Sequence, residues 1–350
     1  MSVTPDLLGL RMPPEWARHA RTLISWPVRQ SMCHPEAYEE LCRSYNEIIQ
    51  AIAEFEPVTI LVNKQEVVAM AMRFYGQQFQ VLHIEHDDAW LRDNGPAFLV
   101  GEDEKIAGVN WRFNAWGEKY PDWEQDDQVA TKVLQYFSVR QFDAPFILEG
   151  GAIHVDGEGT LLTTESCLLH AQRNPHLSKN QMEAYLQSFL GVQKVLWLKR
   201  GLAGDETDGH IDNVACFAQP GQVLMQICAD PADENYAITQ ENLSAVRHMT
   251  DAMGRELEIV TLPQPPAMFA ADGQRLTLSY MNFYFVNGGI ILPVFGGAAE
   301  KTDHAAQEIL RQTFPERRIR AIDGLAVVRE GGNIHCLTQQ MPPGRPYLRQ

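Results

Sequence analysis

The sequence lacks the features that mark membrane and exported proteins. No apolar run approaches the roughly 18 residues of a membrane-spanning helix. The first residues contain no basic segment leading into an apolar one, and the six cysteines show no CxxC pair and no disulfide-framework spacing. We therefore expect a protein that has no membrane partner and works in the reducing cytoplasm.

Basic residues are scarce relative to acidic ones. The chain has 29 Lys and Arg against 45 Asp and Glu, which gives a formal net charge of −16. A nucleic-acid-binding surface needs clustered Lys and Arg, so nucleic acid is not expected as a partner. The acidic balance suits a small cationic molecule, although solubility alone explains most of the charge equally well.

Motifs of several common enzyme classes are absent too. The sequence has no Walker loop, no GxGxxG fingerprint and no GxSxG elbow of an α/β-hydrolase. Residues 83–88 are rich in metal-ligand types but lack the HExxH order, and an extended strand would point His83 and His86 to opposite faces. We therefore expect no metal ion and no cofactor.

Short apolar runs alternate with segments of helical spacing, which predicts an α/β fold. Strands are predicted at about residues 22–26, 58–62, 79–84, 146–148, 192–198, 256–262 and 319–322, with hairpins at 152–164 and around 287–289. Helices are predicted at about residues 35–54, 65–74, 123–136, 178–189, 238–253 and 302–313.

Polar loops recur after these elements, about 50 to 80 residues apart. They contain Asp93, Glu149, His210, Asn287 and Cys336. Since no linker rich in Pro, Gly or Ser divides residues 1–350, we expect one domain rather than two tethered ones. A ring of similar strand–helix units would bring all five loops to its centre.

Cys336 is the candidate nucleophile. It follows the glycine pair Gly331-Gly332, and glycines let a backbone pass close to another group, which can place the next side chain at the floor of a cleft. The alternative is a buried structural cysteine, which is a common fate of a free thiol. A thiol is mostly protonated at neutral pH, so the catalytic interpretation requires a base elsewhere in the chain.

His210 is the candidate base, and carboxylates at several loops accompany it. Alternation along an extended segment would place His210 and Asp212 on one face, although a satisfied core histidine is the commoner case. Asp93 and Glu149 precede glycine turns and have structural alternatives as a cap or a backbone acceptor. A guanidinium presents five N–H donors that two carboxylates can hold, so this set suits a cationic electrophile attacked by a thiolate.

Five longer motifs closely resemble the agmatine deiminase family, which belongs to the guanidine-modifying pentein superfamily and is related to bacterial-type peptidylarginine deiminases. They are Trp90-x-Arg92-Asp93-x-Gly95-Pro96, Trp111-x-Phe113-Asn114-x-Trp116-Gly117, Leu148-Glu149-Gly150-Gly151, Asp208-Gly209-His210-Ile211-Asp212-Asn213 and Gly331 to Gln340. The resemblance extends from Met12-Pro13-x-Glu15-Trp16 to the C-terminus. It implies the pentein fold, a five-bladed α/β propeller of pseudo-fivefold ββαβ units.

The resemblance also implies a reaction and residue roles. Agmatine is hydrolysed to N-carbamoylputrescine and ammonia through an amidino-cysteine intermediate, without a cofactor. Cys336 would be the nucleophile and His210 the general acid and base, while Asp93 and Asp212 would bind the guanidinium and Glu149 would support His210. Candidates for contact with the rest of the substrate are Trp90, Trp116, Glu206, Asp208 and Gly332.

Two alternatives stay open at this stage. A deiminase of free or peptidyl arginine needs a cation for the α-carboxylate of a free amino acid, and Arg92 and Arg112 are candidates for it. The second alternative is a non-catalytic protein that binds guanidines or polyamines. The sequence also leaves a homo-oligomer open.

Overall fold

The computed structural model describes residues 3–63 and 79–347. The helix expected at 65–74 lies outside these residues. Within them, no helix combines the length and the apolar character that crossing a membrane requires.

The strands are numbered here in chain order. They are β1 (Arg21–Ser25), β2 (Val58–Val62), β3 (Gln80–His83), β4 (Ala97–Val100), β5 (Lys105–Arg112), β6 (Arg140–Ile147), β7 (His154–Val155), β8 (Thr160–Thr164), β9 (Lys194–Leu198), β10 (Ala215–Gln219), β11 (Gln222–Ile227), β12 (Glu258–Pro263), β13 (Tyr284–Val286), β14 (Gly289–Val294), β15 (Arg318–Asp323), β16 (Thr338–Met341) and β17 (Arg345–Pro346).

Longer helices and short helical turns separate the strands. The longer helices are Tyr38–Ala53, Val129–Tyr136, Lys179–Leu190, Glu234–Val246 and Glu300–Thr313. The four-residue helices are Leu91–Asn94, Ala115–Glu118, Glu165–Leu168, Leu325–Val328 and Ile334–Leu337. The 3-10 turns are Asp6–Leu8, Pro35–Ala37, Glu102–Glu104, Asp126–Gln128, Gly150–Ala152, Ile211–Asn213 and Gly297–Ala299.

One strand pattern repeats along the chain. In β4-β5-β6, β7-β8-β9, β10-β11-β12 and β13-β14-β15, the first two strands pair antiparallel and the third pairs parallel to the second. A short turn can join antiparallel neighbours, whereas a parallel neighbour requires a crossover. A longer helix supplies that crossover in each case, so each unit has the order ββαβ.

The fifth unit is assembled from the two ends of the chain. β16 pairs antiparallel with β1, and β1 pairs parallel with β2 after the helix Tyr38–Ala53. β3 adds a further parallel strand at the edge of this sheet. Joining the N- and C-terminal strands in one sheet closes the series of units, and the prediction of five ββαβ units is confirmed.

The crossover helices bury apolar faces against these sheets. In Tyr38–Ala53 the predicted stripe of Leu41, Tyr45, Ile48 and Ile49 is buried, because residues three and four apart share one helix face. Several predicted boundaries are wrong. β6 begins six residues earlier than its apolar core suggests, at Arg140, because its alternating polar residues face outward.

The helix predicted at 238–253 is wrong at both ends. It ends at Val246, and it begins at Glu234 because the Asp233 side chain accepts a hydrogen bond from the Asn235 N–H at 2.8 Å and caps the helix.

The last strand of each unit leads toward a short helical turn or loop with polar side chains. Asp93 lies in Leu91–Asn94, and Glu149 immediately precedes Gly150–Ala152. Asp212 lies in Ile211–Asn213 and Cys336 in Ile334–Leu337. Four of the five units therefore present their predicted site residues on turns that contact one another.

Candidate active site

Cys336 lies at the wall of an open cleft. The preceding Asn333 caps the turn that carries it, since its side-chain oxygen accepts the Ile334 N–H at 3.0 Å. Only 5% of Cys336 is exposed. Five other predicted site residues line the same cleft, namely Trp90, Asp93, Trp116, Glu206 and Gly332.

Gly332 allows an indole ring to pack against the backbone of the nucleophile segment. A Cβ atom at this position would lie 2.5 Å from Cζ3 of Trp90, which is far inside van der Waals contact. Glycine is therefore required for Trp90 to form a wall of the cleft beside Cys336.

Asp93 is buried and held by two donors. Its Oδ2 accepts a hydrogen bond from Nε1 of Trp116 at 2.9 Å, and its Oδ1 accepts the Gly151 N–H at 2.9 Å. Burial, together with the nearby Asp212 carboxylate, raises the pKa of Asp93 despite the opposing effect of His210. A cation bound in the cleft would oppose both effects and lower the pKa of Asp93, because a nearby positive charge favours the carboxylate.

His210 lies fully buried between two carboxylates. Its Nδ1 is 3.8 Å from Asp93 Oδ1 and its Nε2 is 3.6 Å from Glu149 Oε2, and neither ring nitrogen has a hydrogen-bond partner among the described residues. Burial alone would lower the pKa of His210, but Asp93 and then Cys167 and Glu149 raise it well above its ordinary value. The imidazole therefore favours its protonated form.

Glu149 is ionised because of a cation that the sequence analysis missed. Nε of Arg173 donates a hydrogen bond to Glu149 Oε1 at 2.9 Å, and both side chains are buried. Burial opposes ionisation, yet Arg173 and His210 lower the pKa of Glu149 to about 2. No spacing in the sequence indicates this pairing, since Arg173 lies outside the recognisable motifs.

Asp212 touches the nucleophile. Its Oδ2 is 3.5 Å from the Cys336 Sγ, while its Oδ1 has no hydrogen-bond partner among the described residues. The expectation that His210 and Asp212 share a face of an extended segment is wrong, because Ile211–Asn213 forms a 3-10 turn. The turn nevertheless brings both side chains near Gly151, where an added Cβ would lie 2.5 Å from His210 Nδ1 and 2.9 Å from Asp212 Oδ2.

His335 and Glu15 form a buried support that was also missed. Nδ1 of His335 lies 2.9 Å from Asp212 Oδ2, and its Nε2 lies 2.9 Å from Glu15 Oε1. Nη1 of Arg92 is 3.4 Å from the same Glu15 oxygen. Both Glu15 and His335 belong to the motifs that carry the family resemblance, and that is the signal that could have identified them.

The fourth loop was assigned to the wrong residue. Asn287 lies in the turn between β13 and β14, and its amide bonds to the backbone of His19 at 2.9 Å on both sides. Asn282, after β12, is the residue that reaches the nucleophile, with Nδ2 3.2 Å from the Cys336 Sγ. The Asn287-Gly288 pair is a strong hairpin motif, and it was taken for the site loop although the residue beside Cys336 lies five positions earlier.

The environment of Cys336 disfavours a thiolate while the cleft holds no cation. Burial, Asp212 and Asp93 raise the pKa of the Cys336 thiol well above its ordinary value, despite the donors at Asn333 and Asn282. A positive charge placed among these groups would lower the pKa of the thiol.

The outer part of the cleft is acidic. The Tyr120 hydroxyl and the Gln274 amide both donate to the Glu206 carboxylate, the latter at 3.5 Å. Asp208 does not line the cleft, because it forms ion pairs with Arg173 and with Lys119. Its predicted contact with the substrate is therefore not supported by its position.

Basic side chains do not line this cleft among the described residues. Arg92 is buried against Glu15 and the backbone of His335, and Arg112 is exposed outside the cleft. Neither arginine that the sequence analysis considered for a carboxylate lies in position to meet one.

One group of described residues has the composition and spacing of a metal site. Oxygen, sulfur and nitrogen atoms of Glu149, Cys167 and His210 all lie within 4.8 Å of one another, and all three residues are buried. The expectation that no ligand set exists did not consider Cys167.

Comparisons with known proteins agree with this geometry. The family model described as Porphyromonas-type peptidyl-arginine deiminase matches residues 11–342. A protein of Legionella pneumophila named putative agmatine deiminase is 43% identical over 98% of this chain and 97% of its own length. The agmatine deiminase of Stutzerimonas stutzeri is 41% identical over 100% of this chain and 99% of its own length.

A solved structure extends the likeness to three dimensions. The agmatine deiminase of Enterococcus faecalis superposes with a TM-score of 0.92 at 36% identity, and the match covers 99% of each chain. Full-length coverage means that the nucleophile turn and its carboxylates fall inside the compared region. The chain therefore belongs to the Porphyromonas-type peptidyl-arginine deiminase family.

Proposed function

We propose that this protein hydrolyses the guanidinium group of agmatine to N-carbamoylputrescine and ammonia through a covalent amidino-cysteine intermediate. One observation carries the proposal. A thiol lies beside Asp93, Asp212 and an acidic outer wall, and no basic side chain among the described residues lines the cleft. Such a cleft suits a ligand that is cationic at both ends.

In this proposal Asp93 and Asp212 hold the guanidinium. Asp212 Oδ1 has no other hydrogen-bond partner among the described residues, and each oxygen of Asp93 accepts one bond from Trp116 or Gly151 and retains a lone pair. Paired carboxylates match the planar fork of N–H donors, which fixes the central carbon near Cys336.

The bound cation activates the nucleophile. Asp212 and Asp93 raise the pKa of the Cys336 thiol, so neutralising them with a guanidinium favours the thiolate. The thiolate attacks the guanidinium carbon and forms a C–S bond. The C–N bond to one terminal nitrogen then breaks, and that nitrogen leaves as ammonia after protonation.

His210 supplies and removes the protons. Its raised pKa keeps it protonated before the reaction, so it can donate a proton to the departing nitrogen. The resulting neutral imidazole then accepts a proton from the water that attacks the amidino-cysteine carbon. Breakage of the C–S bond releases the ureido product and regenerates the thiolate, while Glu149 stabilises the imidazolium from the Nε2 side.

Glu206 receives the primary ammonium at the other end of agmatine. Its carboxylate lines the cleft and is oriented by Tyr120 and Gln274, and the Trp90 and Trp116 rings form apolar walls for the methylene chain. Free arginine would bring an α-carboxylate to the same acidic end. Without a cation to meet it, that carboxylate costs a few kcal/mol of binding free energy.

We infer one catalytic domain over residues 1–350, since all five ββαβ units supply side chains to one site. We infer a cytoplasmic location because all six cysteines are free thiols. We also infer that nucleic acid is not a partner, given the net charge of −16.

The test measures ureido product and ammonia from agmatine, free arginine and an arginyl peptide at equal concentrations. We expect agmatine to be used with at least about 100-fold higher kcat/KM than arginine. Comparable values for the two would favour the arginine deiminase alternative. Binding of agmatine without ammonia release would favour the non-catalytic alternative.

The covalent step is tested by intact-protein mass spectrometry after exposure of His210→Ala to agmatine. The thiolate can still attack slowly in this variant, whereas water is no longer activated, so an amidine adduct should accumulate. Cys336→Ala combined with His210→Ala should show no adduct. An adduct on any of the other five cysteines would mean that the nucleophile is misassigned.

A further inference from the structure

Cys167 is a buried nucleophilic group that the proposed mechanism does not use. It lies in the short helix Glu165–Leu168 and is fully buried. The Thr164 hydroxyl accepts the Cys167 N–H at 3.3 Å and donates to the Gly209 carbonyl at 2.6 Å. This hydroxyl therefore links the backbone of Cys167 to that of Gly209, the residue immediately before His210.

The Cys167 thiol lies close to one ring nitrogen of His210 and one carboxylate oxygen of Glu149. His210 Nε2 is 3.6 Å from Glu149 Oε2, and Cys167 Sγ is 3.8 Å from the same oxygen. In a tetrahedral Zn²⁺ site with bonds of about 2.0–2.3 Å, neighbouring ligand atoms are roughly 3.3–3.7 Å apart. The two distances from Glu149 Oε2 therefore lie close to this range, and all three donor atoms lie within 4.8 Å of one another.

The donor set has the right chemistry and an unsatisfied member. His210 Nε2 is completely buried and has no hydrogen-bond partner among the described residues. Glu149 is ionised, and Arg173 binds only its Oε1, which leaves Oε2 facing the other two ligands. Thiolate, imidazole and carboxylate together select a borderline-soft ion such as Zn²⁺ over Mg²⁺ or Ca²⁺.

We propose that Cys167, His210 and Glu149 form a binding site for a borderline-soft divalent metal ion such as Zn²⁺, and that binding there inhibits the enzyme. The inhibitory part rests on the proposed acid–base role of His210. Coordination uses the Nε2 lone pair, so the ring can hold a proton on Nδ1 but can no longer become an imidazolium. The water-activating step is thereby blocked.

Binding also releases protons. The metal–sulfur bond forms on the Cys167 thiolate and the metal–nitrogen bond on the Nε2 lone pair of neutral His210, so the ion displaces both the thiol proton and the proton that makes His210 an imidazolium. The apparent affinity for the ion should therefore increase with pH. The described residues supply three ligands within reach, which leaves the fourth position to water or to an exogenous ligand.

The first experiment titrates Zn²⁺ into activity assays of the full chain, the Cys167→Ser variant and a matched control, Cys42→Ser. Cys42 is another buried free thiol, located on the helix Tyr38–Ala53. We expect Zn²⁺ inhibition, expressed relative to each protein's own rate without metal, to weaken at least about 100-fold in Cys167→Ser and to stay unchanged in the control. Equal inhibition of all three proteins would overturn the proposal.

The second experiment does not depend on activity. Co²⁺ added to Cys336→Ala should give a thiolate-to-cobalt charge-transfer absorption band, because the proposed ligands remain. The double variant Cys336→Ala/Cys167→Ser should lack the band. Loss of the band in Cys336→Ala alone, or its persistence without Cys167, would place the ion elsewhere and reject the site.

These two readouts separate the site from the proposed function. If the chain fails to hydrolyse agmatine but shows the Cys167-dependent cobalt band, the metal site stands and the proposed function falls. If agmatine is hydrolysed and no Cys167-dependent band or inhibition appears, the proposed function stands and the metal site falls.

Discussion

Nδ1 of His335 lies 2.9 Å from Oδ2 of Asp212, the same oxygen that is 3.5 Å from the Cys336 thiol. Burial and Arg92 would lower the pKa of His335, but Glu15 and Asp212 raise it. A protonated His335 therefore donates a charge-assisted hydrogen bond to the Asp212 carboxylate. The pair fixes a carboxylate that must face both the nucleophile and the substrate.

The first prediction concerns His335 as a positioning residue. Replacing it with Gln removes a charge-assisted hydrogen bond to Asp212, so kcat for agmatine should fall about 10- to 100-fold. Steady-state kinetics with a thermal unfolding scan would measure this. His304→Gln, on an exposed helix face, is the control and should be unaffected. A folded His335→Gln variant with normal kcat would contradict the assigned role.

The second prediction concerns the ionisation of Cys336. Because its pKa is raised, its thiolate fraction at neutral pH is small and increases with pH up to that pKa. Alkylation by neutral iodoacetamide should therefore accelerate about tenfold per pH unit between pH 7 and 9. A cationic haloacetamidine of similar size should react much faster at pH 7, since it neutralises Asp93 and Asp212.

Two comparisons control the alkylation experiment. Asp93→Asn should reduce the advantage of the cationic reagent, because one of the carboxylates that attract it is gone. Cys336→Ala should show no fast phase with either reagent. Equal rates for the neutral and cationic reagents would show that the site does not couple cation binding to thiolate formation.

The third prediction concerns Glu206 and the ammonium end of the substrate. Glu206→Gln keeps the shape of the side chain and removes its charge, so KM for agmatine should rise about 10- to 100-fold with a smaller fall in kcat. Butylguanidine, which lacks the ammonium group, is the matched substrate, and its KM should change little in Glu206→Gln. A similar loss for both substrates would show that Glu206 does not recognise the ammonium.

Apolar periodicity predicted individual elements and the spacing of polar loops predicted a ring of units, whereas the ββαβ order came from the family resemblance. The strands β2 and β9, and the helices Tyr38–Ala53 and Lys179–Leu190, follow patterns that a core imposes locally. The pairing of β16 with β1 could not be predicted in this way. It joins residues more than three hundred positions apart, and no local signal encodes that register.

The site was predictable where a motif carries its own chemistry, as at Cys336 and His210. Residues that act through distant contacts were not predicted, because their function depends on which side chains the fold places beside them. Arg173 reaches Glu149 across 24 positions and Asn282 reaches Cys336 across 54. The Asn287 hairpin shows the opposite error, since a strong turn signal there was taken for a functional one.

The last prediction concerns Gly151, which lies under the proposed guanidinium position. Its φ is not in the left-handed region, so alanine meets no backbone penalty there. The added methyl group would lie 2.5 Å from His210 Nδ1 and 3.0 Å from Asp93 Oδ1, which forces both groups away from the reacting carbon. We expect kcat/KM for agmatine to fall at least about 100-fold, because displacement of catalytic groups by about 1 Å has that effect.

The control for Gly151→Ala is the fold itself, which a circular dichroism melt checks. Iodoacetamide should still alkylate Cys336, which shows that the thiol remains accessible in the variant. If the alanine variant retains normal kcat/KM, the guanidinium does not bind above Gly151. Asp93 and His210 would then be too far from the reacting carbon to have the roles proposed here, and the mechanism would have to be rebuilt around Asp212 and Cys336 alone.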